Sequence, residues 1–451
     1  MKDNRTAQKH EQAPLPKAGR QHINRTGTSA VDWLRLDNAA KIYPPARSRY
    51  WAPMFRLSAD LTEEVDTDIL KTALDHTLAR LPSFACRLRK GMFWYYLERI
   101  EGAPAIVQDV NNPMTYFNVR ENRNFLFRVR CFNTKIAVEF FHVVTDGSGG
   151  MTFLLTLIGE YVRLRYGVTI PTSRHVLSCD DSPKEEEYED SFLKYARKET
   201  MSRSEKPAYY PSRTPMAPFD VSYICGSVPT DRLHRAAREY GASISEFITA
   251  VLIQIVARLQ AAEPSRAKRR LPVKVSVPVD LRRFYPTKTL RNFSSYINPG
   301  IETRLGEYSF EEILVQVQSI MKSQITEKQL NARFSENVAT ERIPILRATP
   351  LFIKDPLLKM FYNMQGDRYV SMTFSNLGAV EVPEELRRYV SQLDFALGPS
   401  KKKRCMCTCA SYAGKTRFIF TRTSEGSDIE REFFCALVKM GIPVMVESNR
   451  R

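Results

Sequence analysis

The stretch KIAVEFFHVVTDGSGG, residues 135–150, decides how the rest of the chain is interpreted. Its apolar residues alternate as in a buried β-strand, and the alternation puts His142 on a face that is otherwise wholly apolar. Asp146, Gly147 and further glycines follow, which indicates a tight turn before a long apolar helix. The pattern predicts that the imidazole of His142 is held at the wall of an internal cavity.

The chemistry of His142 fits the role of a general base. An imidazole titrates near neutral pH, so its neutral form can accept a proton under physiological conditions. Burial in an apolar cavity favours that neutral form. A general base also needs a fixed orientation, which a strand end followed by a rigid turn provides. The alternative is a histidine that only packs in the core, and the Asp-Gly turn favours the base.

Asp146 is expected to brace the loop rather than to act as the acid partner of His142, because it lies beyond the turn. A buried carboxylate needs a cation, and the strongest candidate is Arg282, at the end of the predicted strand in LPVKVSVPVDLRRF. A pair between Asp146 and Arg282 would hold the loop, and with it His142. In the alternative interpretation both side chains lie at the surface.

Length and charge bound the possible functions. A chain of 451 residues is too long for one ordinary core, so two or three domains are expected. The 67 Lys and Arg against 50 Asp and Glu give a net charge of +17, which favours an anionic partner. Nucleic acid, a phosphorylated cofactor and a membrane surface are the candidates. The basic residues are scattered and accompany no nucleic-acid-binding motif, so direct nucleic-acid binding is not expected.

The N-terminal residues 1–30 are polar, basic and proline-containing, which predicts a disordered tail. They lack the apolar block of a secretory signal, and no stretch approaches the ~20 uninterrupted apolar residues of a membrane span. A cytoplasmic protein is therefore expected. Cys405, Cys407 and Cys409 alternate as in a strand, so their thiols are predicted to pack in the core, and no metal site is predicted.

Composition changes between about residues 171 and 218, where an acidic run is followed by a stretch rich in Pro and Ser. This is the best candidate for a crossover between two lobes. The predicted domains are residues 31–205, with the His142 motif, and residues 206–451, with VDLRR and SNLG. Each half contains strands, a helix and a further strand, which allows two similarly folded α/β lobes, although no sequence repeat relates them.

Several segments of the chain resemble those of a known enzyme family. FHVVTDG matches the second His, the Asp and the Gly of HHxxxDG, the motif of the CoA-dependent acyltransferase superfamily. That superfamily includes chloramphenicol acetyltransferases, plant acyltransferases, peptide-synthetase condensation domains and alcohol acetyltransferases. WLRLDNAAKIYPP looks like the opening of bacterial alcohol-acetyltransferase-like members. VPVDLRRFYPTKTLRNF looks like the segment that carries the Arg partner of the motif Asp, TFSNLG looks like the strand bordering the shared tunnel, and DFALG echoes a DFGWG motif.

The resemblance implies two chloramphenicol-acetyltransferase-like lobes, with mixed sheets and a tunnel between them. It implies that an acyl-CoA enters at one mouth and an alcohol or amine acceptor at the other, and that His142 is the general base. Transfer of an acyl group, with acetyl expected, needs no covalent intermediate and no metal in this family. Ser375 and Asn376 would be polar tunnel groups, although they serve equally well as turn residues. Residues 401–404 would meet CoA phosphates or form a solvated loop.

One departure from the motif keeps alternatives open. Phe141 replaces the first motif His, and on the strand it should point away from the cavity. A free-standing condensation-type acyltransferase that uses an acyl carrier protein as donor is the main alternative. A non-catalytic binding protein of the same fold is another. A monomer is expected, and the acyl chain and the acceptor are not identified by the sequence.

Overall fold

The computed structural model describes residues 22–23, 29–30, 32–47, 53–115, 118–202, 205–211, 213–361, 368–398 and 405–450. In the predicted N-terminal tail, β1 (His22–Ile23) and β2 (Ser29–Ala30) pair antiparallel. The rest of residues 1–30 lies outside the described residues, and so do residues 401–404.

The first half contains seven strands and four helices among the residues from 32 to 195 that the structure describes. Its strands are β3 (Trp33–Arg35), β4 (Met54–Leu61), β5 (Cys86–Lys90), β6 (Tyr95–Arg99), β7 (Ile106–Gln108), β8 (Phe127–Phe132) and β9 (Lys135–Phe141). Its helices are α1 (Tyr43–Ala46), α2 (Thr67–Arg80), α3 (Gly147–Tyr166) and α4 (Ser191–Tyr195), with 3-10 turns at Ala40–Ile42 and Glu185–Glu187.

The second half has a larger sheet and most of the helices. Its strands are β10 (Ser222–Pro229), β11 (Val273–Asp280), β12 (Ser294–Ile297), β13 (Gly300–Ile301), β14 (Met372–Ala379), β15 (Val390–Leu397), β16 (Cys405–Tyr412), β17 (Lys415–Arg422) and β18 (Met445–Ser448). Its helices are α5 (Thr230–Glu239), α6 (Ile244–Ala261), α7 (Arg266–Arg269), α8 (Phe310–Gln324), α9 (Glu327–Arg342), α10 (Pro344–Ala348), α11 (Leu351–Phe361), α12 (Glu384–Arg387) and α13 (Asp428–Lys439), with 3-10 turns at Leu281–Arg283 and Thr303–Leu305.

The strands that carry the site form where the sequence predicts them. β8 and β9 are joined at Asn133, whose φ of 49° lies in the left-handed region that Asn tolerates in tight turns. Asp146 caps α3 by accepting a hydrogen bond from the backbone N–H of Gly149. Gly167, with a φ of 67°, ends the same helix. The predicted strand, turn and helix around His142 are therefore confirmed.

The two main sheets are mixed, as predicted. The first has the order β15-β4-β9-β8-β7, with β7 parallel to β8 and the other pairs antiparallel. The second follows β12-β11-β14-β16-β17-β10-β18, and its strand β14 is parallel to both neighbours. β3, β6 and β5 form a small third sheet. The α/β class with mixed sheets is confirmed.

The chain crosses between the two sheets more than once. β15, from the predicted C-terminal lobe, pairs with β4 and so completes the first sheet. Its residue Phe395 is buried in the first core. In the opposite direction, Phe192, from the predicted N-terminal lobe, is buried in the second core. A single boundary at residue 205 therefore does not separate the two sheets, because pairing across the chain depends on long-range contacts that local composition does not record.

The face of β9 opposite to His142 holds a buried charge cluster. Glu139 is fully buried and pairs with Arg56 at 3.0 Å, with Arg130 at 3.5 Å, and with Arg128. Burial alone would raise the pKa of Glu139, but the three guanidinium groups lower it to about 2. This cluster fixes the packing behind the strand that carries His142.

Two apolar segments of the second half are buried, a strand with three cysteines and a long helix. The thiols of Cys405, Cys407 and Cys409 lie in the second core, which confirms the packing interpretation. Among the described residues, helix Ile244–Ala261 has the length and composition of a membrane span, and 56% of it is buried inside the protein. Its apolar side chains belong to the same core as the three thiols.

Candidate active site

His142 follows directly after β9 and lies against two aromatic rings. Its backbone N–H donates to the carbonyl of Pro53 at 2.9 Å, so the pairing between β4 and β9 extends to it. The Tyr43 ring stacks on the imidazole with a centroid distance of 5.0 Å, and the Phe55 ring is tilted against it at 5.0 Å. Phe141 is buried and opposite Met54 in the strand register, on the other face of the sheet, as predicted.

Asn292 contacts the imidazole directly. Its Oδ1 lies 3.0 Å from His142 Nδ1, and its Nδ2 donates to the backbone carbonyl of His142 at 3.1 Å. The same Nδ2 donates to Asp37 Oδ2 at 3.1 Å, and Asp37 Oδ1 accepts from the backbone N–H of Ala40 at 2.7 Å. A buried chain of hydrogen bonds therefore runs from Asp37 through Asn292 to His142.

This network fixes the tautomer of His142. If the Asn292 amide were flipped, its oxygen would face the carbonyl of His142 and the carboxylate of Asp37, which are both acceptors. With Nδ2 facing these two oxygens, Oδ1 can only accept, so His142 Nδ1 carries the hydrogen. In the neutral imidazole the lone pair is then on Nε2, which is the arrangement that a general base requires.

Electrostatics act on the same groups. Burial lowers the pKa of His142, while the contact with Asn292 and the charge of Asp146 partly oppose the shift. A lowered pKa keeps the imidazole neutral at physiological pH. Burial raises the pKa of Asp37 to about 6, against the opposing charge of Arg291.

The ion pair that the sequence suggests is present. Arg282 Nη1 lies 2.9 Å from Asp146 Oδ2, and both side chains are nearly buried. The Asp146 carboxylate also accepts from the backbone N–H of Phe293 at 2.8 Å and of Gly149 at 3.1 Å. Burial would raise the pKa of Asp146, but Arg282 and these donors leave it lowered. The three hydrogen bonds to this carboxylate come from donors other than His142.

Arg282 ties its own segment together as well. Its Nε donates to the carbonyl of Thr289 at 3.0 Å, and Nη2 donates to the carbonyl of Arg291 at 2.5 Å. The segment that includes Leu290 and Asn292 is thereby held against the loop after His142. Thr145 Oγ1 donates to the carbonyl of Leu290 at 2.5 Å, which adds a second contact between the two segments.

The glycines after Asp146 allow this close approach. A Cβ atom at Gly149 would lie 2.0 Å from the carbonyl oxygen of Leu290 and 2.3 Å from Thr145 Oγ1. A Cβ atom at Gly147 would lie 2.9 Å from Leu377 Cδ2 and 3.7 Å from Phe395. The segments SNLG and DFALG therefore both meet the start of α3.

Ser375 and Asn376 lie on β14. Ser375 is buried and opposite Thr408 of β16. Asn376 Oδ1 accepts from the backbone N–H of Gly378 at 2.7 Å, and its Nδ2 donates to Ser245 Oγ at 3.1 Å. These contacts favour the alternative in which Asn376 serves the turn.

Two surface cavities stand out in the part of the chain that the structure describes. One has a volume of about 660 Å³ and lies along α5, where it is lined by His234 and Arg238. The other, of about 300 Å³, is lined by Val65, Ile106 and Phe132 among others. His142 lines neither of them, so the tunnel between the lobes stays a prediction.

Asn292 and Asp37 are not predicted from the sequence. Both lie in segments that carry the family resemblance, Asp37 in WLRLDNAAKIYPP and Asn292 in KTLRNF. Their sequence context gave only weak evidence for a role at the site, because Asn and Asp beside a predicted turn are most often turn residues. Only the tertiary structure brings the two side chains to His142.

Comparisons with known proteins identify the fold. No family model and no curated protein matches the chain. Polyketide synthase associated protein 5 from Mycobacterium tuberculosis is 13% identical, over 90% of this chain and 96% of that chain, with a TM-score of 0.58. TRI3 trichothecene 15-O-acetyltransferase from Fusarium sporotrichioides is 10% identical, over 95% of this chain and 98% of that chain, with a TM-score of 0.58.

A third solved structure is the starter condensation domain of rhizomide synthetase, in complex with C8-CoA. It is 12% identical, over 90% of this chain and 94% of that chain, with a TM-score of 0.55. Identities this low establish the fold and leave the activity open. The chain has the two-lobed α/β fold of condensation domains and CoA-dependent acyltransferases.

Proposed function

We infer that the protein is an acyltransferase that moves an acyl group from a thioester of coenzyme A to an alcohol or amine, with His142 as general base. The observation that carries this proposal is the hydrogen bond between Asn292 Oδ1 and His142 Nδ1. It leaves the Nε2 lone pair free to accept a proton, in a histidine whose pKa is lowered by burial.

In the proposed reaction the acceptor hydroxyl or amine lies at Nε2 and attacks the thioester carbonyl. Its proton passes to Nε2 as the new bond to carbon forms, and a tetrahedral oxyanion results. The oxyanion collapses, the carbon–sulfur bond breaks, and the departing thiolate takes the proton back from His142. General-base assistance contributes about 10²–10⁴-fold, so the orientation of the two substrates must supply the rest.

Asn292 and the pair of Asp146 with Arg282 act as positioning groups in this proposal. Asn292 would hold the imidazole plane and tautomer, because it contacts both the ring and the backbone of the same residue. The ion pair would hold the loop after His142 against the segment that carries Asn292. The excess of basic residues suits the phosphates of CoA.

The experiment measures thiol release from acetyl-CoA and from longer acyl-CoAs with a panel of alcohols and amines. His142→Ala should lose about 10²–10⁴-fold in kcat/KM. His234→Ala, an exposed histidine on α5, is the matched control and should keep the parental rate. Equal rates in the parent and His142→Ala would show that His142 is not the base.

The same panel separates the other two functions. Two of the similar structures are named as a polyketide synthase associated protein and a starter condensation domain, which keeps a carrier-protein donor as the second candidate. Acyl transfer from an acylated carrier protein, with none from acyl-CoA, would replace the CoA donor in the proposal. Binding of acyl-CoA with no transfer to any acceptor would indicate a non-catalytic binding protein.

A further inference from the structure

Helix α11 is amphipathic, but its apolar face is exposed to solvent rather than packed on the core. Its residues Phe352, Ile353, Leu357 and Met360, spaced as one helical face, are all exposed. We call these four residues the outer face of α11. A surface helix of a globular protein normally turns its apolar face to the core and its polar residues to the solvent. Burial in the protein's own core therefore does not account for this arrangement.

Two polar residues of α11, Lys354 and Asp355, face the protein instead. The ammonium group of Lys354 lies 3.5 Å from the ring centroid of Trp94, and the side chain is buried. Asp355 Oδ2 accepts from Tyr95 at 2.7 Å and from Lys90 at 3.0 Å. These contacts fix the rotation of the helix, so the exposure of its apolar side chains is a consequence of specific packing.

Two apolar residues outside α11 are exposed as well. Ile345 of α10 is exposed, and so is Met92, whose carbonyl accepts a hydrogen bond from the backbone N–H of Leu351. Exposed apolar side chains that cluster and are rimmed by polar residues mark interaction sites.

Charge decides which partner fits. Residues 342–361 contain four basic residues, Arg342, Arg347, Lys354 and Lys359, and one acidic residue, Asp355, which is turned inward. Arg342, Arg347 and Lys359 are exposed and form no ion pair with a carboxylate among the described residues. Apolar side chains with Lys and Arg beside them are the composition of helices that lie in the interface of an anionic bilayer.

A second copy of the chain fits less well. An interface between two identical faces would bring the same basic residues together, on chains that each carry a net charge of +17. The anionic headgroups of a bilayer would neutralise these residues, while the acyl region accepts the apolar side chains.

We propose that the outer face of α11 docks the protein on an anionic lipid bilayer. α11 packs on α1, and Tyr43 of α1 stacks on His142. The docked bilayer would thus lie on the side of the protein where α1 covers the imidazole. A lipid-soluble acyl donor or acceptor would then have a short path to the candidate site, and this consequence rests on the proposed function.

The test is flotation of the full chain with vesicles of phosphatidylcholine and phosphatidylglycerol, compared with vesicles of phosphatidylcholine alone. The parent should float with the anionic vesicles, and less protein should float as salt rises. Phe352→Ser/Leu357→Ser should lower the partition coefficient by about tenfold or more, since each side chain is a large apolar group that enters the bilayer interface. Arg347→Gln/Lys359→Gln should weaken binding to anionic vesicles and leave binding to neutral ones unchanged.

The matched control is Val315→Ser/Val438→Ser. These two valines are 63% and 57% exposed, against 69% for Phe352 and 52% for Leu357, and they lie on other helices. The control should float like the parent. His142→Ala should also float like the parent, so that failure of docking and failure of the proposed function are distinguishable. Thermal melts check that each variant is folded.

Two results would overturn the proposal. The first is a parent that floats with neither kind of vesicle, or one whose flotation is unaffected by Phe352→Ser/Leu357→Ser. The second is a parent that is dimeric by light scattering and becomes monomeric in that double variant, which would assign the outer face of α11 to a second copy of the chain.

Discussion

The contact between Asn292 and His142 yields the sharpest prediction. Asn292→Ala removes the side-chain oxygen that accepts from Nδ1, and it leaves the backbone carbonyl of His142 and one oxygen of Asp37 without the donor that Nδ2 supplies. The imidazole could then adopt either tautomer and could rotate away from the stacked Tyr43 ring. The productive form of the base is therefore less populated, although the base itself is still present.

The magnitude follows from the hydrogen bonds. Removing one partner of a buried hydrogen bond costs about 1–3 kcal/mol, because the other group is left desolvated. If that cost falls on the orientation of His142, kcat should drop about 10- to 100-fold, since each 1.36 kcal/mol or so is a factor of ten in rate. KM should change little, because Asn292 contacts the base rather than a substrate. The free energy of unfolding should fall by about 1–3 kcal/mol as well.

The pH profile separates positioning from a merely structural role. The base acts in its neutral form, so activity is lost as the pH falls through the pKa of His142. The contact with Asn292 raises that pKa, against the lowering effect of burial. Asn292→Ala should therefore lower the pKa of His142 further and move the acidic limb of kcat/KM to lower pH.

The assay is steady-state thiol release across pH, with the donor and acceptor that the parent uses best. Asn298→Ala is the matched control, because Asn298 lies at the other end of β12 and its Nδ2 donates to Glu205 at 2.9 Å. It should keep the parental rate and pH profile. An Asn292→Ala enzyme with the parental kcat and an unmoved acidic limb would refute the proposed role of Asn292.

Three further predictions concern the surrounding structure. Arg282→Met leaves the Asp146 carboxylate buried without its cation, so the free energy of unfolding measured by urea titration should fall by about 3–5 kcal/mol. An unchanged urea midpoint would show that the ion pair does not stabilise the fold. Glu139 has a pKa lowered to about 2, so it stabilises the fold above its ordinary pKa of 4.5, and this contribution is lost as the pH falls from 4.5 toward 2. Glu139→Gln should lower the melting temperature at neutral pH, and the variant should lose less stability than the parent as the pH falls. The same dependence of the melting temperature on pH in variant and parent would contradict this role of Glu139. Gly149→Ala places a methyl group 2.0 Å from the carbonyl oxygen of Leu290, so this variant should have a lower soluble yield and lower activity. Gly159→Ala should be tolerated, because the nearest contact of its methyl group is at 3.3 Å. Similar yields for the two variants would be inconsistent with the close packing at Gly149.

The local elements around the site were predictable from the sequence. Alternation defined β9, the Asp-Gly turn defined the start of α3, and the need of a buried carboxylate for a cation pointed to Arg282. These inferences rest on strand periodicity, turn chemistry and desolvation, which act within a short stretch or on a single strongly constrained group.

The missed features depend on contacts between distant segments. Asn292 and Asp37 are 255 residues apart, and neither has a sequence pattern that distinguishes it from a turn residue. The strand VSQLDFAL alternates equally well whichever sheet it joins, so its pairing with β4 was not predictable. The rotation of α11 is set by Lys354 over the Trp94 ring, a contact that helical periodicity does not contain.

The pairing of β15 with β4 has a consequence for biosynthesis. β4 is flanked by β9 on one side and by β15 on the other, so its second edge stays open until residues 390–397 have left the ribosome. An open strand edge is a template for pairing with other chains. The nascent first half must therefore remain protected from aggregation while nearly two hundred further residues are made, and a fragment that ends at the crossover near residue 205 would expose the same edge permanently.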